Sequence, residues 1–311
     1  MPTPNDGDPT SARVGAVIAA FAPQQALVDL VRSVLPQVEC VVVVDDTGEG
    51  ATSECREVLE ACARTGVIVM RHETNSGIGA ALNTGVRRLR GVGAPYDFVI
   101  TLDQDSGLSP TYVSRLVDAF RAATMRGFRV GMVAPQIVAG VGTTSTRTPS
   151  GTWIGSEPIQ SGLLVPTSVF DELDLFDESL FIDSVDSDFY LRAKSAGLVC
   201  VVAEGLTLDH ALGAKERVSL GPWVLNLSVA ADFRYYYMVR NLVTMALRHG
   251  RHERAWTVHA VAKLLRHLLV TTALVPGRRR RLSHALAGLK DGIMRVDGQM
   301  PRKACRAPTV A

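Results

Sequence analysis

Apolar runs rich in β-branched residues alternate with stretches of helical periodicity in the first third of the chain. The apolar runs, which predict strands, cover residues 14–20, 38–44, 67–70 and 98–102. The stretches between them have helical spacing and length and cover residues 24–34, 51–63 and 77–89. This alternation predicts an α/β fold, a mostly parallel sheet with helices on both faces. A fifth run at residues 130–134 closes at Pro135, and we place one domain over residues 12–220.

After residue 220 the pattern changes to helical periodicity without strands. Residues 223–248 and 251–273 have amphipathic spacing, and Pro276-Gly277 ends this pattern before a shorter helix near residues 282–294. We therefore expect a C-terminal helical extension over residues 221–297. The polar residues 1–11 predict a disordered N-terminus without a signal peptide, and residues 298–311 predict a tail.

Composition limits the class of protein. A chain of 311 residues, 47% of them apolar, can bury a sizeable core. Its five cysteines form no Cys-x-x-Cys pair, which favours a reducing compartment and argues against a zinc site. Lys263, Arg266 and His267 interrupt the apolar stretches near the C-terminus, and none reaches the roughly 18 uncharged residues of a spanning helix. We therefore do not expect an integral membrane protein.

Charge is distributed unevenly along the chain. Residues 240–311 carry 15 Lys and Arg against three acidic residues, a net charge of +12. Since the whole chain has a net charge of +2, residues 1–239 carry −10. Aromatic residues such as Trp223, Tyr236 and Trp256 recur beside basic residues such as those at 278–281, which predicts contact with an anionic membrane surface and hence a cytoplasmic protein bound peripherally to the inner face of the cell membrane. The alternative is that the apolar faces of these helices pack on the α/β domain and the charges are solvated. No nucleic-acid partner is expected, because no helix-turn-helix, zinc-finger or RNP signature accompanies the basic residues.

Two carboxylates, Asp103 and Asp105, follow the fourth predicted strand. In an open parallel sheet, ligands lie outside the carboxyl ends of the strands. Mg²⁺ typically takes one or two carboxylates together with the phosphates of a substrate, so this pattern predicts a nucleotide-diphosphate site. The alternative is a turn that leads into a helix, because Ser109-Pro110 has the sequence of a helix cap and first helical position.

A second acidic pair, Asp45 and Asp46, follows the second predicted strand. At such a strand end a carboxylate can accept hydrogen bonds from a nucleobase or from ribose hydroxyls. The alternative is a simple Asp-Gly turn, since Thr47 and Gly48 come next.

The segment 75–85, which begins Asn75-Ser76-Gly77, is similar to a glycine-rich phosphate loop. However, Leu82 occupies the last glycine position of that pattern, and the segment follows the third predicted strand instead of the first. We therefore expect close packing of a helix beside a nucleotide, and no nicotinamide site.

Three acidic residues, Asp183, Asp186 and Asp188, lead into a predicted helix that runs to Gly197. Helix-start preference explains one acid but not three. An Asp near a metal-bound diphosphate could act as a general base for a hydroxyl nucleophile. His210 follows the strand predicted over residues 198–202 and is either a structural hydrogen-bonding residue or a metal ligand.

Taken in order, these motifs resemble the inverting family 2 glycosyltransferases of the GT-A fold, in particular their bacterial rhamnosyltransferase branch. The resemblance covers about residues 12–215, and the aromatic and basic residues 234–241 extend it. The motifs are Val-Asp-Asp, Asn-Ser-Gly-Ile-Gly-x-Ala-x-Asn-x-Gly, Leu-Asp-Gln-Asp-Ser, Ile-Asp-x-Val-Asp-x-Asp-x-x-Leu-Arg and Leu-x-His-x-Leu-Gly.

The resemblance implies a role for each motif. It implies Mg²⁺ or Mn²⁺ as the cofactor, with Asp105 as the direct ligand, and it makes Asp186 the catalytic base. Val185 stands where many relatives have Glu, a departure shared by the rhamnosyltransferase-like pattern. The implied metal ligands are Asp103, Asp105 and His210. The implied nucleotide-sugar ligands are Asp45 or Asp46 at the nucleobase, with Asn75, Gly77 and Asp103.

The resemblance also implies the reaction and its partners. The nucleotide-sugar donor would be dTDP-L-rhamnose, and the acceptor a cell-envelope glycan or a polyprenyl-linked saccharide. An alternative within the class is galactofuranosyl or hexosyl transfer from a UDP-sugar. A sugar nucleotidyltransferase is a more distant alternative, because it should have a glycine-rich basic loop after the first strand where this chain has Phe21-Ala22-Pro23. A non-catalytic binding protein would not need the intact acidic motifs.

Overall fold

The computed structural model describes residues 12–210, 215–220 and 223–301. Contacts divide the chain into two compact units. The first contains the chain up to Asn75 together with Ala81–Leu175 and Arg192–His210, and the second contains Ser76–Ala80, Phe176–Leu191 and the chain after His210. The predicted N-terminal segment 1–11 lies outside the described residues, and the predicted domain boundary near residue 220 stays a prediction.

The described chain alternates strands and helices as far as residue 103, and five consecutive strands follow over residues 130–166 before the next helix. The strands are β1 (Val14–Ala20), β2 (Cys40–Asp45), β3 (Ile68–Arg71), β4 (Phe98–Asp103), β5 (Ser106–Gly107), β6 (Val130–Val138), β7 (Val141–Gly142), β8 (Ser145–Arg147), β9 (Trp153–Gly155), β10 (Leu163–Pro166), β11 (Val199–His210), β12 (Lys215–Leu220) and β13 (Trp223–Ser228). The helices are α1 (Gln25–Val34), α2 (Ser53–Ala63), α3 (Ile78–Arg90), α4 (Tyr112–Met125), α5 (Thr167–Leu173), α6 (Val185–Ser195), α7 (Arg234–His249), α8 (Arg254–Leu274) and α9 (Arg278–Ile293).

The sheet of the first unit has the strand order β3-β2-β1-β4-β10-β6-β11-β9-β8. Its first four strands are parallel, as predicted, and β6 is parallel to β11. β10 is antiparallel to both β4 and β6. Ala20 pairs with Asp45 and Ala19 pairs with Asp103, so β1, β2 and β4 end at the same edge of the sheet. The register therefore places the two acidic motifs at one edge.

Buried aliphatic side chains hold the first unit together. Every residue of β1 is buried, because the strand lies between two neighbours and its apolar residues point to both faces of the sheet. Burying one such side chain stabilises the fold by about 1.5–3 kcal/mol. The cysteines among the described residues (Cys40, Cys55, Cys62 and Cys200) are free thiols, and burial raises the pKa of Cys200 to about 12.

Two predicted element ends in the first unit are wrong. β6 continues past Pro135 to Val138, because β11 bulges opposite it and Gln136 accepts a hydrogen bond from the Gly205 N–H at 2.7 Å in that bulge. The predicted cap at Ser109-Pro110 also fails: α4 begins at Tyr112, whose N–H donates to the Ser109 carbonyl in a turn that precedes the helix.

The second unit contains a strand pair, and we had predicted its second strand, β13, as part of a helix. β13 pairs with β12 along its whole length, from Trp223 opposite Leu220 to Ser228 opposite Lys215. Apolar spacing alone did not distinguish this strand from the start of α7, although Gly221-Pro222 before it is a turn sequence. The predicted helices at residues 251–273 and 282–294 are present as α8 and α9.

Helix α9 packs closely on α7. A Cβ added at Gly288 would come within 2.2 Å of the Tyr236 carbonyl oxygen, and one at Gly292 within 3.0 Å of the Arg240 carbonyl oxygen. The first residues of the predicted tail are also held, because the Gly298 N–H donates to the Ser179 carbonyl at 2.7 Å and the Met300 N–H donates to the Tyr237 hydroxyl at 2.8 Å. Residues 302–311 lie outside the described part.

Candidate active site

The Asp103 carboxylate is held at the end of β4 by the loop before β10. Since β10 is antiparallel to β4, this loop lies beside the end of β4. Gln160 donates its amide to Asp103 Oδ1. The hydroxyl of buried Ser161 accepts the Asp103 N–H at 3.0 Å and lies 2.7 Å from Ser106 Oγ. These bonds fix both the backbone and the side chain of Asp103, which remains half-buried, as does Asp105.

The end of β11 lies opposite the turn that carries Asp105. In the antiparallel pairing of β5 with β11, Ser106 is opposite His210 and Gly107 is opposite Asp209. Because Ser106 directly follows Asp105, the backbone brings the predicted ligands Asp105 and His210 into neighbouring segments. The side chain of His210 is not among those described.

Asp45 and Asp46 are both buried and both bound within the chain. The Asp45 carboxylate accepts hydrogen bonds from the N–H and hydroxyl of Thr47 and lies 3.4 Å from Arg71 Nε. Asp46 Oδ1 lies 2.7 Å from His72 Nδ1, and His72 Nε2 lies 2.9 Å from the Thr84 hydroxyl. Both acids therefore stabilise the turn at the end of β2. Which of the two contacts the nucleobase stays open.

Hydrogen bonds connect the turns that follow β1, β2 and β4. The Gln104 side chain accepts the Phe21 N–H at 3.1 Å and donates to the Phe21 carbonyl at 2.8 Å. The Ala22 N–H donates to the Thr47 hydroxyl at 2.8 Å. The three strand ends therefore form one connected edge, with Phe21 exposed upon it.

Asn75 belongs to this same edge. Gly48 has a left-handed φ of +70°, and a Cβ at that position would come within 2.8 Å of the Asn75 backbone nitrogen. The turn after Asp45 and Asp46 therefore packs directly on the segment that carries Asn75. This close approach brings together three of the predicted nucleotide-sugar ligands.

The atoms at this edge fit a hard divalent cation. Asp103 and Asp105 offer carboxylate oxygens, which suit Mg²⁺ and Mn²⁺. Among the described side chains, no group of three or more His, Cys, Asp or Glu residues could hold a metal ion by itself. Such a set is compatible with Mg²⁺, which commonly binds one or two carboxylates and completes its coordination with water and substrate phosphates.

Gly77, in the second unit, packs against the loop that precedes α6. Its φ is +92°, and a Cβ there would come within 2.4 Å of the Phe181 carbonyl oxygen. The same carbonyl accepts the Ile78 N–H at 2.8 Å. The glycine at position 77 is therefore required by both its backbone conformation and this contact.

Replacing Gly77 by Ala should destabilise the protein more than the same change at Gly66. Gly66 has an almost identical φ of +91° with nothing within 4 Å of its Cβ position, so Gly66→Ala measures backbone strain alone. We expect Gly66→Ala to lower the free energy of unfolding by about 1–2 kcal/mol and Gly77→Ala by about 1–3 kcal/mol more. Urea unfolding measures both values, and equal losses would contradict the contact with Phe181.

Asp183, just before α6, and Asp188, in its first turn, each contact a basic residue of α7. Asp183 accepts hydrogen bonds from the Arg234 guanidinium through both carboxylate oxygens. Asp188 is buried, and its Oδ1 lies 3.0 Å from His249 Nε2. Asp186 is half-buried in the first turn of α6, where its Oδ1 accepts the Ser187 N–H at 2.8 Å.

The loop before Asp186 has an unusual backbone. Phe181, Asp183 and Ser184 have φ values of +62°, +67° and +63°. Left-handed conformations of such residues cost roughly 1–3 kcal/mol each and persist where the surroundings impose them. Strain of this kind is concentrated at functional sites in proteins.

Two buried residues of α7, Arg240 and Asn241, impose this conformation. Asn241 Nδ2 donates to the carbonyl oxygens of Leu180, Ile182 and Asp183 at 2.8–3.0 Å. Arg240 donates to the Leu180 carbonyl at 2.8 Å, and its guanidinium lies over the rings of Tyr236 and Tyr237. We call this pair the loop clamp.

Arg248 adds a further contact between α7 and this loop. It forms an ion pair with Asp177. Burial alone would raise the pKa of Asp177, but hydrogen bonds from Ser179 and Arg248 outweigh it and hold that pKa below its ordinary value. Asp177 therefore stabilises the fold at neutral pH, and this contribution is lost as the pH falls below about 4.

Sequence reasoning missed several residues of the site. Gln160 and Ser161 gave no signal, because only the antiparallel placement of β10 brings them to Asp103. Gln104 stood between the two predicted ligands and was given no role. Arg240 and Asn241 were noticed within residues 234–241, but nothing local to them indicates the loop that they hold.

Comparison with known proteins relates this chain to a protein family. Residues 16–154 match the family model for glycosyl transferase family 2. This match identifies residues 16–154 as a glycosyl transferase family 2 domain. This glycosyltransferase is 24% identical to the dTDP-rhamnosyl transferase RfbF of Shigella flexneri, over 93% of this chain and 98% of that protein. The predicted family, with its likeness to rhamnosyltransferases, is confirmed.

Solved structures support the fold of the glycosyltransferase. The crystal structure of S. aureus TarS 1–349 has a TM-score of 0.55 and 16% identity, covering 90% of this chain and 81% of that one. The structure of the same protein in complex with UDP-GlcNAc has a TM-score of 0.56 and 16% identity, and it covers 94% of this chain and 82% of that one. The predicted GT-A fold with C-terminal helices is confirmed.

Proposed function

We propose that the protein is an inverting, metal-dependent glycosyltransferase that moves L-rhamnose from dTDP-L-rhamnose to a cell-envelope glycan or polyprenyl-linked saccharide. The observation that supports dTDP-L-rhamnose as the donor is the similarity to a dTDP-rhamnosyl transferase. This similarity extends over 93% of the chain and so includes the helices after β13.

The donor would bind at the edge where β1, β2 and β4 end. Asp45 or Asp46 would contact the nucleobase, and Asn75, Gly77 and Asp103 would contact the remainder of the nucleotide sugar. Asp103, Asp105 and His210 would hold Mg²⁺ or Mn²⁺. The bound cation would neutralise the charge that develops on the leaving diphosphate. The fixed position of Asp103 between Gln160 and Ser161 supports this role, because a ligand held in place needs no reorganisation.

Asp186 would act as the general base. The acceptor hydroxyl oxygen bonds to the anomeric carbon while its proton passes to the Asp186 carboxylate, and the bond from that carbon to the diphosphate breaks. One displacement inverts the anomeric centre and releases dTDP, so no enzyme nucleophile is needed. The resemblance of residues 182–192 to the family's motif, in which Asp186 takes the position of the base, supports the choice of Asp186 among the three acids.

The donor can be tested by direct binding. Calorimetry in the presence of Mn²⁺ should give at least about tenfold tighter binding of dTDP-L-rhamnose than of UDP-galactofuranose, UDP-galactose or UDP-GlcNAc, a difference of about 1.4 kcal/mol. Release of dTDP in the presence of a membrane fraction containing lipid-linked acceptors measures turnover. dTDP-glucose is the matched control, because it keeps the nucleotide and changes only the sugar.

Transfer from a UDP-sugar is the second candidate. It is supported by the fold shared with TarS, whose structure was solved with UDP-GlcNAc. Tighter binding of any UDP-sugar than of dTDP-L-rhamnose would favour this candidate and exclude the first.

We also propose that the enzyme works at the cytoplasmic face of the cell membrane. The net charge of +12 over residues 240–311 supports this location, because anionic lipids attract basic segments. Among the described helices, none is long and apolar enough to cross a membrane, so the attachment we propose is peripheral.

A further inference from the structure

Helix α8 exposes an apolar surface along its length. Thirteen of its 21 residues are apolar, yet Thr271 is the one residue of this helix that is buried. Helices with apolar residues all round are normally buried in a core or in lipid. Exposed fractions reach 69% at Val258 and 72% at Leu269. The exposed row, which we call the α8 stripe, is Val258, Val261, Leu265 and Leu269.

Helix α9 also has an exposed apolar row, and its opposite face is buried. Gly288 and Gly292 lie against α7, as described above. On the other side, Leu286 and Ile293 are each 65% exposed. The exposed residues recur at spacings of four, three and four, which places them on one face of the helix. This row, the α9 stripe, is Leu282, Leu286, Leu289 and Ile293.

Basic residues border the α9 stripe. Arg278, Arg279 and Arg280 are exposed in the first turn of the helix. Lys290 is exposed four residues after Leu286, so it adjoins the stripe. Between residues 254 and 294 the single acidic residue is Asp291, whose carboxylate accepts the Tyr236 hydroxyl at 2.8 Å. The border of the apolar surface is therefore strongly cationic.

The structure corrects which residues of this region could meet a membrane. Arg281, which we had grouped with its three basic neighbours, is 2% exposed and donates to the carbonyls of Thr271, Val275 and Pro276. It fixes the turn between α8 and α9. Tyr236, which we had expected at the lipid surface, is buried against α9.

We propose that the α8 and α9 stripes dock the enzyme on an anionic phospholipid leaflet, with Arg278, Arg279 and Arg280 contacting the lipid headgroups. This inference rests on the proposed function, in which the enzyme works at the membrane, and it adds the surface and the lipid chemistry. An exposed apolar row with a cationic border is the pattern of a helix that lies in the interface of a bilayer.

The charge of this surface favours lipid over a second copy of the chain. A dimer formed through these stripes would bring the arginine clusters of both copies close together. The region has almost no acidic residue to pair with them, and like charges oppose association. An anionic leaflet supplies the opposite charge, and each Lys or Arg near it strengthens binding. The apolar rows then enter the region between headgroups and acyl chains.

Sedimentation with vesicles tests the proposal. The full-length protein should bind vesicles of phosphatidylglycerol and phosphatidylcholine but not vesicles of phosphatidylcholine alone. Changing Arg278, Arg279 and Arg280 to Gln should weaken binding on the order of a hundredfold at low salt, and less at high salt. The double variant Leu286→Gln with Ile293→Gln should weaken binding to a similar degree by removing inserted apolar area.

Control variants with the same kinds of substitution on other surfaces show whether the position of the changed residues matters. Arg56, Arg64 and Arg126 are exposed and lie outside α8 and α9, so changing these three to Gln removes the same charge from another surface. Met125→Gln removes an apolar side chain that is 83% exposed on α4. Both controls should bind anionic vesicles within about twofold of the unmodified protein.

Three outcomes would overturn the proposal: equal binding to both kinds of vesicle, no binding to either, or unchanged binding in the α9 variants. In each case, analytical ultracentrifugation would show whether Leu286→Gln with Ile293→Gln converts a dimer to a monomer, which would assign the stripes to a second copy of the chain. Donor binding in solution is measured separately by calorimetry. Loss of donor binding would count against the proposed function and leave the vesicle result standing.

Discussion

Replacing Asp186 by Asn should slow sugar transfer by roughly 10²–10⁴-fold, the usual contribution of a general base. Asn keeps the shape of Asp but cannot take the acceptor's proton. Donor binding should therefore stay within about twofold of the unmodified protein, because only the chemical step is affected. Incorporation of labelled sugar from the donor into a membrane fraction measures transfer, and calorimetry measures donor binding.

Asp188→Asn provides the control for a structural acid in the same helix. Asp188 is buried beside His249, so this change should lower the free energy of unfolding by about 1–3 kcal/mol. Asp186→Asn should leave the unfolding midpoint unchanged. Near-normal transfer by the Asp186 variant would rule it out as the base, and a selective loss in Asp183→Asn would then assign the base to Asp183.

Replacing Asp105 by Ala should abolish the metal-dependent part of donor binding. A site with few protein ligands loses much of its affinity when water replaces a carboxylate. Calorimetry with the donor, with and without Mn²⁺ or Mg²⁺, should show an affinity for the variant that no longer depends on the metal.

Asp29→Ala is the matched control for this loss of a carboxylate. Asp29 is exposed on α1, where it pairs with Arg32 three residues away, so its removal should leave the metal dependence intact. If Asp105→Ala kept a metal-dependent affinity equal to that of the unmodified protein, the assignment of Asp105 as the ligand would be wrong.

Much of the first unit could be predicted from local pattern. β1 occupies the predicted residues 14–20, and the next three strands differ from prediction by at most two residues at either end. Fully buried parallel strands form continuous apolar runs, so each strand is visible in its own sequence. The polar residues that directly follow such runs are then placed at a sheet edge by the register of the strands.

The order of strands that are far apart in the chain could not be predicted in this way. β10 lies between β4 and β6 in space, although it comes after both in the chain. No local feature of Leu163–Pro166 indicates that position, and so the contacts of Gln160 and Ser161 with Asp103 were not predicted. In the second unit, the apolar spacing of Trp223–Ser228 suited a helix, but pairing with β12 made it a strand.

Arg281 illustrates a similar limit for charged residues. In sequence it is one of four consecutive arginines, and composition assigns all four to the surface. In the structure the chain turns at Pro276 and Gly277, and three carbonyl oxygens converge on the Arg281 guanidinium. Burial of one member of a charged run depends on the turn before it and is not indicated by the run itself.

The loop clamp limits how the chain can be shortened. Arg240 and Asn241 lie well beyond residue 154, where the match to the family ends, and beyond residue 220, where we predicted the catalytic domain to end. A fragment ending at residue 220 would keep Asp186 in its sequence but would lose the side chains that hold Leu180, Ile182 and Asp183. The strained backbone at Phe181, Asp183 and Ser184 would then be free to relax. We therefore expect the smallest active fragment to extend at least through α7, far beyond the residues that the family model matches.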